Sequence, residues 1–296
     1  MLAEHPYISI LTNVFSLIGI YDNFLIFGIL LETKFGSQWS SILLCNQCFF
    51  AGFACSIVLT TNLSKLDART TVKFIDVILC YLTSHLSVFW LAEILYVHNL
   101  VCLTIERVIA IWCPICYRSS QKLLITLTYV YLSIMVLFLY TPLTLNREFY
   151  SNGTCGLADD PKAPWRELIL RIHTYLWFVL IYAAPALVMF CNNIIIIRKL
   201  RQKQISFSWT SSEGVLSNPV TRLSMTTVVL VLLHLTFYAY DSIKTLRLHV
   251  NNIKCEAGSS TFNSGVLVIL VGFSLNPCVL LLMNAELKRR FTKMKY

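Results

Sequence analysis

The sequence predicts an all-α membrane protein, a bundle of seven transmembrane helices followed by a short amphipathic helix. Two bulk properties and one pattern predict it. Of the 296 residues, 56% are hydrophobic and only 13% are charged, against about 25% charged in an ordinary soluble domain. The mean hydropathy is +0.67. The apolar residues also gather into seven runs, each long enough to cross about 30 Å of hydrocarbon, which takes about 20 residues of helix.

The runs cover residues 8–31, 41–61, 74–112, 123–145, 173–197, 223–246 and 262–283. The first is too long for the core of a signal peptide and has no small-residue cleavage site, so it reads as a retained span. The third overruns the membrane at one end. The fifth contains Pro185 and the seventh Pro277, each a missing backbone donor inside a helix. After the seventh, residues 284–294 place Leu287 and Phe291 four apart, on one face. Lys288, Arg289 and Arg290 can then meet headgroups while that face lies on lipid. The links resemble no soluble domain, so residues 1–296 read as one transmembrane domain.

Seven spans put the two ends on opposite sides. The basic tail "ELKRRFTKMKY" belongs in the cytosol by the positive-inside bias. With that choice cytosolic segments hold 14 of the 24 Lys and Arg residues. Their only acids are Glu32, Glu106, Glu213 and Glu286. Both glycosylation sequons, at Asn62 and Asn152, then fall outside.

The net charge of +9 has no basic face interleaved with aromatics, so the basic residues read as membrane flanks and no nucleic-acid partner is expected. Eleven cysteines are scattered, mostly inside apolar runs, where a thiol behaves as a small apolar group. "CNQC" (Cys45, Cys48) and "CPIC" (Cys113, Cys116) have metal or redox spacing. Neither has a second pair or a nearby His, and no metal or cofactor is expected. No H-E-x-x-H, G-x-S-x-G or paired catalytic carboxylates occur, so the chain does not read as an enzyme. A transporter would show internal repeats and broken mid-membrane helices, and a channel a filter loop or a ring of charge. Neither pattern is present.

Glu106–Arg107, at the inner end of the third run, begins "ERVIAIWCP". This stretch resembles the acidic–Arg–aromatic signature of rhodopsin-like (class A) G-protein-coupled receptors, including a later proline, Pro114. Span seven has "NPCVLLLMNAELKRRF", similar to that family's N-P-x-x-Y and the amphipathic helix after it, with Asn276 and Pro277 matching. Span one has "DNFLIF", with Asn23 as the match, and Pro185 sits at the family's place in span five. Cys80, Trp90, Asn99–Leu100 and Glu106–Arg107, with Asn46–Gln47 and Tyr240–Ser242, resemble orphan rhodopsin-like receptors of flatworms more narrowly.

The resemblance implies a plasma-membrane receptor with its amino end outside. It would relay an extracellular small-molecule or peptide ligand to a heterotrimeric G protein docking near Arg107. It also implies a disulfide from Cys80 to Cys155 in the second outer loop, with Cys255 a rival partner. Switch roles fall on Glu106, Arg107, Asn23, Asn276, Pro277 and Pro185.

The sequence departs from the family at several switch positions. Span two has Cys48 or Ala51 where an aspartate is usual, and span six has neither Trp nor Pro of C-W-x-P. Leu280 replaces the tyrosine of N-P-x-x-Y, Val108 the aromatic after Glu–Arg, and Asn193 the tyrosine of span five. Span four lacks the family's Trp. These losses make a receptor-shaped protein with lost or atypical signalling the alternative reading, ahead of a small transporter.

Glu93 lies roughly 21 Å along the helix from Arg107 at 1.5 Å per residue, inside the membrane. There a carboxyl is a functional candidate by default. Phe89, Trp90 and Glu93 fall on one helix face, and Asp241 in span six can look into the same space. Aromatics with carboxylates suit a cationic ligand. The other reading makes Glu93 a packing residue bonded to His98, His85 or a hydroxyl.

Overall fold

The computed structural model describes residues 6–32, 37–64, 77, 86–145, 147–149, 155–157, 164–207, 219–250 and 259–294. Among them, seven helices are long and apolar enough to cross a membrane.

Helix α1 (Pro6–Glu32) and α2 (Gln38–Ser64) come first. The few residues between them cannot span 30 Å again at about 3.5 Å each, so the two helices return on each other. Helix α3 (Ser87–Trp112) starts later than expected. The third run was read from residue 74, but Leu86 takes a left-handed backbone conformation (φ 58°), which an L-residue cannot propagate as helix. A one-residue break at Cys113 precedes α4 (Pro114–Ser119), with Pro114 at its first position, where a missing N–H costs nothing.

Helix α5 (Gln121–Leu145) is the fourth span. Next comes a short antiparallel pair, β1 (Arg147–Phe149) with β2 (Cys155–Leu157), in which Phe149 faces Cys155. It is a local addition to the all-helical architecture read from the sequence. The fifth span joins α6 (Pro164–Trp177), a π-helical turn at Phe178–Ala183, and α7 (Ala184–Phe207). The widened turn comes just ahead of Pro185, which cannot donate to the carbonyl four residues back. Ala184 N–H reaches Val179 instead. Helix α8 (Pro219–Val250) is the sixth span and α9 (Ser260–Met283) the seventh. The Ser259 hydroxyl caps α9 by accepting from Phe262 N–H at 3.2 Å. The amphipathic helix α10 (Ala285–Met294) folds back against α1 and α9, with Leu287 buried.

Helix α1 packs on α2 and α9, and α8 lies between α7 and α9. Helix α3 touches α2, α5, α7 and α8. The interior has two apolar layers. One, at the Arg107 end, contains Ile26, Leu43, Leu100, Met189, Val231 and Leu280. The other, at the Trp90 end, contains Ala51, Cys55, Phe89, Val97, Ile181 and Phe273. Between them Asn23, Gln47, His98, Asn99, His234 and Asn276 are all buried, giving a polar layer supplied by five helices.

The α1–α2–α9 seam is tight. A methyl group on Gly19 would stand 2.5 Å from Cys55 Sγ and 3.1 Å from Ser274 Oγ, whereas one on Gly28 would meet nothing within 4 Å. Gly19→Ala should therefore destabilise by about 1–3 kcal/mol through overpacking. Gly28→Ala should stabilise by about 0.5–1 kcal/mol, because glycine is a poor helix interior residue. Thermal unfolding in detergent checks both, and equal shifts would refute the close seam.

Candidate functional site

Helix α3 carries the sequence-predicted groups at three levels. At one end Glu106 and Arg107 are both buried. The sequence placed this pair at a water boundary. The structure instead covers it with the start of α2 and with α4. Arg107 Nε lies 2.6 Å from Glu106 Oε2, in charge contact but out of hydrogen-bond alignment. The Arg107 guanidinium donates through Nη2 to Ser40 Oγ, and Tyr117 OH donates to Glu106 Oε1. Ser37 Oγ also bonds Tyr117 OH, and Gln121 Nε2 donates to Tyr117 O at 2.6 Å. Trp39 closes the cage: its backbone N–H donates to Gln121 Oε1 (3.0 Å) and its ring N–H to Thr128 Oγ1 (2.9 Å). Tyr117, just outside the spans, has its phenol pushed above its ordinary pKa by burial and by the neighbouring Glu106 carboxylate.

Sequence reasoning missed Ser37, Ser40 and Tyr117. Pro114 gave the one available signal, since a proline starting a new helix implies that the next turn folds back.

At mid-level Asn23 donates to Gly19 O (2.8 Å) and to Phe273 O (3.0 Å), and Asn276 donates to Asn23 Oδ1 at 3.4 Å. Phe273 O is the carbonyl that Pro277, four residues on, cannot serve. Asn23 thus fills the acceptor that proline leaves open, and α9 runs on through Pro277 without a break. The resemblance-matched residues Asn23, Asn276 and Pro277 therefore form one contact set. Pro185 is buried in α7, away from it. Asn99 donates to Gln47 Oε1 (2.6 Å) and Leu43 O (2.9 Å), joining α3 to α2.

At the other end Phe89 packs edge-on to Trp90 (5.0 Å) and Phe273 (6.4 Å), and Trp90 meets Trp177 (5.9 Å) and Phe262 (6.1 Å). Glu93 is buried just below, with Oε2 unpartnered, near Tyr238 and Asp241. Of the packing partners the sequence offered for Glu93, His98 bonds Tyr131 OH instead (2.7 Å), and His85 lies outside the described residues. Asp241 shares the Glu93 neighbourhood but is already neutralised by Lys244 (2.7 Å), which also donates to Thr261 O (2.9 Å). Gly265 makes the room, since a methyl there would overlap Asp241 Oδ1. Lys244, Tyr238, Trp177 and Phe262 were not foreseen; Lys244 was findable from its i,i+3 spacing to Asp241.

Cys80, Cys255 and Asn152 lie outside the described residues, so the disulfide and the second sequon are not described. Cys155 enters only through the backbone pairing of β2. Asn62 sits in the last turn of α2 and donates to Asn13 Oδ1 at 3.0 Å. No group of three or more His, Cys, Asp or Glu side chains suited to a metal occurs among the described residues.

Fold and site together define a multi-pass membrane protein with a receptor-like seven-helix architecture. No family model matches the chain, and no curated protein matches it.

Tyr117→Phe should cost about 1–3 kcal/mol, because it removes a partner from a buried charged group. Tyr129→Phe, at an exposed ring with a 3.4 Å contact to Asn46, should stay within about 0.5 kcal/mol. Unfolding midpoints of the two variants test the cage.

Proposed function

We propose that this chain is a rhodopsin-like G-protein-coupled receptor of the plasma membrane, its amino end outside and its carboxyl end in the cytosol. The observation that carries this reading is the caged Glu106–Arg107 pair at one end of the central helix. A buried charge pair is stable only while its partners stay in place. A charge pair on α3 whose other partners come from α2, through Ser40, and α4, through Tyr117, is therefore a latch that their separation releases.

A ligand works such a latch by binding one arrangement better than the other. Moving a population from 1:99 to 99:1 takes about 10⁴-fold differential affinity. The ligand region lies at Phe89, Trp90 and Glu93. Glu93 offers an unpartnered carboxylate oxygen beside aromatic faces, whereas the Asp241 charge is answered by Lys244. That chemistry fits a small molecule or short peptide with a cationic group. At the opposite end Trp112, Ile115 and Arg198 are exposed, and Lys199 lies over the Trp112 ring (5.0 Å). Exposed apolar and basic groups beside the latch suit a G-protein surface.

A second reading, a receptor-shaped protein without G-protein signalling, is favoured by two observations. Helix α8 is unbroken over 32 residues with no internal proline, and Leu280 is buried where the family has tyrosine.

Reconstitution with heterotrimeric G proteins separates the readings. Wild-type protein should accelerate nucleotide exchange, and Arg107→Ala should abolish that acceleration while leaving membrane insertion intact. Exchange that Arg107→Ala leaves unchanged contradicts the latch. No acceleration, basal or with any of a panel of cationic amines and peptides, favours the second reading. Glu93→Gln should weaken a cationic ligand at least about 10-fold, equivalent to about 1.4 kcal/mol. Unchanged affinity at normal expression removes Glu93 from the site.

A further inference from the structure

Cys113 and Cys116 take no part in the site described above. Cys113 fills the break between α3 and α4, and Cys116 lies in the first turn of α4. Tyr117 N–H donates to Cys113 O (2.9 Å) and Ser120 N–H to Cys116 O (3.0 Å), so the backbone between the two cysteines is a regular helical turn. Residues three apart on such a turn have Cβ atoms about 5–6 Å apart. A small tightening of the backbone at the Cys113 break brings them within disulfide reach, about 3.5–4.5 Å. Cys116 is exposed and Cys113 partly so, and both carry free thiols. The sulfurs also face each other, in hydrogen-bonding contact. By contrast Cys48, Cys55 and Cys102 are buried inside spans.

We propose that Cys113 and Cys116 form a reversible dithiol–disulfide switch that responds to hydroperoxides. The Cys113 thiolate attacks a peroxide oxygen; the O–O bond breaks, one water leaves, and Cys113 becomes a sulfenic acid. The Cys116 sulfur then attacks the Cys113 sulfur, the S–O bond breaks, and the second water leaves with the remaining proton. Two thiols and one hydrogen peroxide give one disulfide and two waters, and a small-molecule thiol reverses the step by exchange. The hydrogen bond from Cys116 holds the Cys113 thiol below its ordinary pKa, which favours Cys113 as the attacking sulfur. The disulfide ties the turn next to Tyr117, whose hydroxyl holds Glu106, and so keeps the latch closed. That effect on signalling rests on the receptor reading; the thiol chemistry does not.

Cleavage after Arg107 and Arg118 isolates both cysteines on one peptide, Val108–Arg118, that contains no other cysteine. Full-length protein in native membranes is exposed to a small excess of hydrogen peroxide, alkylated, digested with trypsin and weighed. The peptide should lose two hydrogens, escape alkylation, and recover both thiols with dithiothreitol. In Cys116→Ser, dimedone should trap a sulfenic acid on Cys113. Full alkylation of the wild-type peptide after peroxide, conversion to sulfinic or sulfonic acid without a disulfide, or a fatty-acyl mass on either sulfur would each overturn the proposal. Wild-type protein gives the main readout, so a variant that fails to fold leaves the test intact.

Discussion

Hydrocarbon offers a polar side chain no hydrogen bond, so each polar group on a spanning helix must find its partner on another helix or on its own backbone. That constraint puts α3 at the centre. It carries Glu93, His98, Asn99, Thr104, Glu106 and Arg107, all buried, and only an interior position can surround such a helix. Helix α5 keeps more of its surface for lipid, with Leu123, Leu127, Ile134 and Leu137 exposed. The other helices are then sorted by what they can offer α3. Helix α2 offers Gln47 and the Leu43 carbonyl, α5 offers Tyr131, and α7 offers Asn192, which donates to Thr104 Oγ1 at 3.1 Å.

The same constraint explains how the chain tolerates proline and charge. An unmet buried carbonyl or amide costs about 1–3 kcal/mol, so Pro277 is tolerable because Asn23 serves Phe273 O. Charge is dearer, since an unpaired buried ion costs several kcal/mol. Two charge pairs are accordingly built into opposite ends of the bundle, Glu106–Arg107 under α4 and Asp241–Lys244 against α9. Each depends on a small neighbour, Ser40 in one case and Gly265 in the other.

The spans were legible because membrane thickness acts on each helix separately. Residues 262–283 were read where α9 covers Ser260–Met283, and 123–145 where α5 covers Gln121–Leu145. The start of α3 was not legible. Residues 74–112 are mostly apolar, and what begins the helix at Ser87 is the backbone angle at Leu86, which hydropathy does not encode. The π-helical turn was only half legible, since Pro185 marked a disturbance but not its form. At the site, residue types singled out α3, where Glu93, Glu106 and Arg107 are buried. Their partners did not show: Tyr117 and Ser40 lie on different elements from Glu106, and only the folded chain decides which hydroxyl reaches a carboxylate. The charge of Asp241 was likewise weighed without Lys244, one turn away, which pairs with it.

The polar layer is not stitched equally on all sides. Towards α1, α2 and α9 several of its groups are paired by short bonds, as between Asn23 and Phe273 or Asn99 and Gln47, although Gln47 Nε2 and Asn276 Oδ1 are left without partners. Towards α8 the described contacts are between rings. Both ring nitrogens of His234, the hydroxyl of Tyr238 and Oε2 of Glu93 are buried without partners, although the His234 and Tyr238 rings lie only 4.2 Å apart. Helix α8 is tied at the Trp90 end, where Tyr240 bonds Ser264 (3.2 Å) and Lys244 bonds Thr261, both on α9. Its mid-level contact with α3 is aromatic stacking, Tyr238 on Tyr96 with rings 6.3 Å apart and nearly parallel. Stacked rings slide at little cost, whereas an aligned hydrogen bond breaks when its partners separate. Helix α8 thus meets α3 at mid-level through ring contacts that can slide, while its Trp90 end is held to α9 by hydrogen bonds.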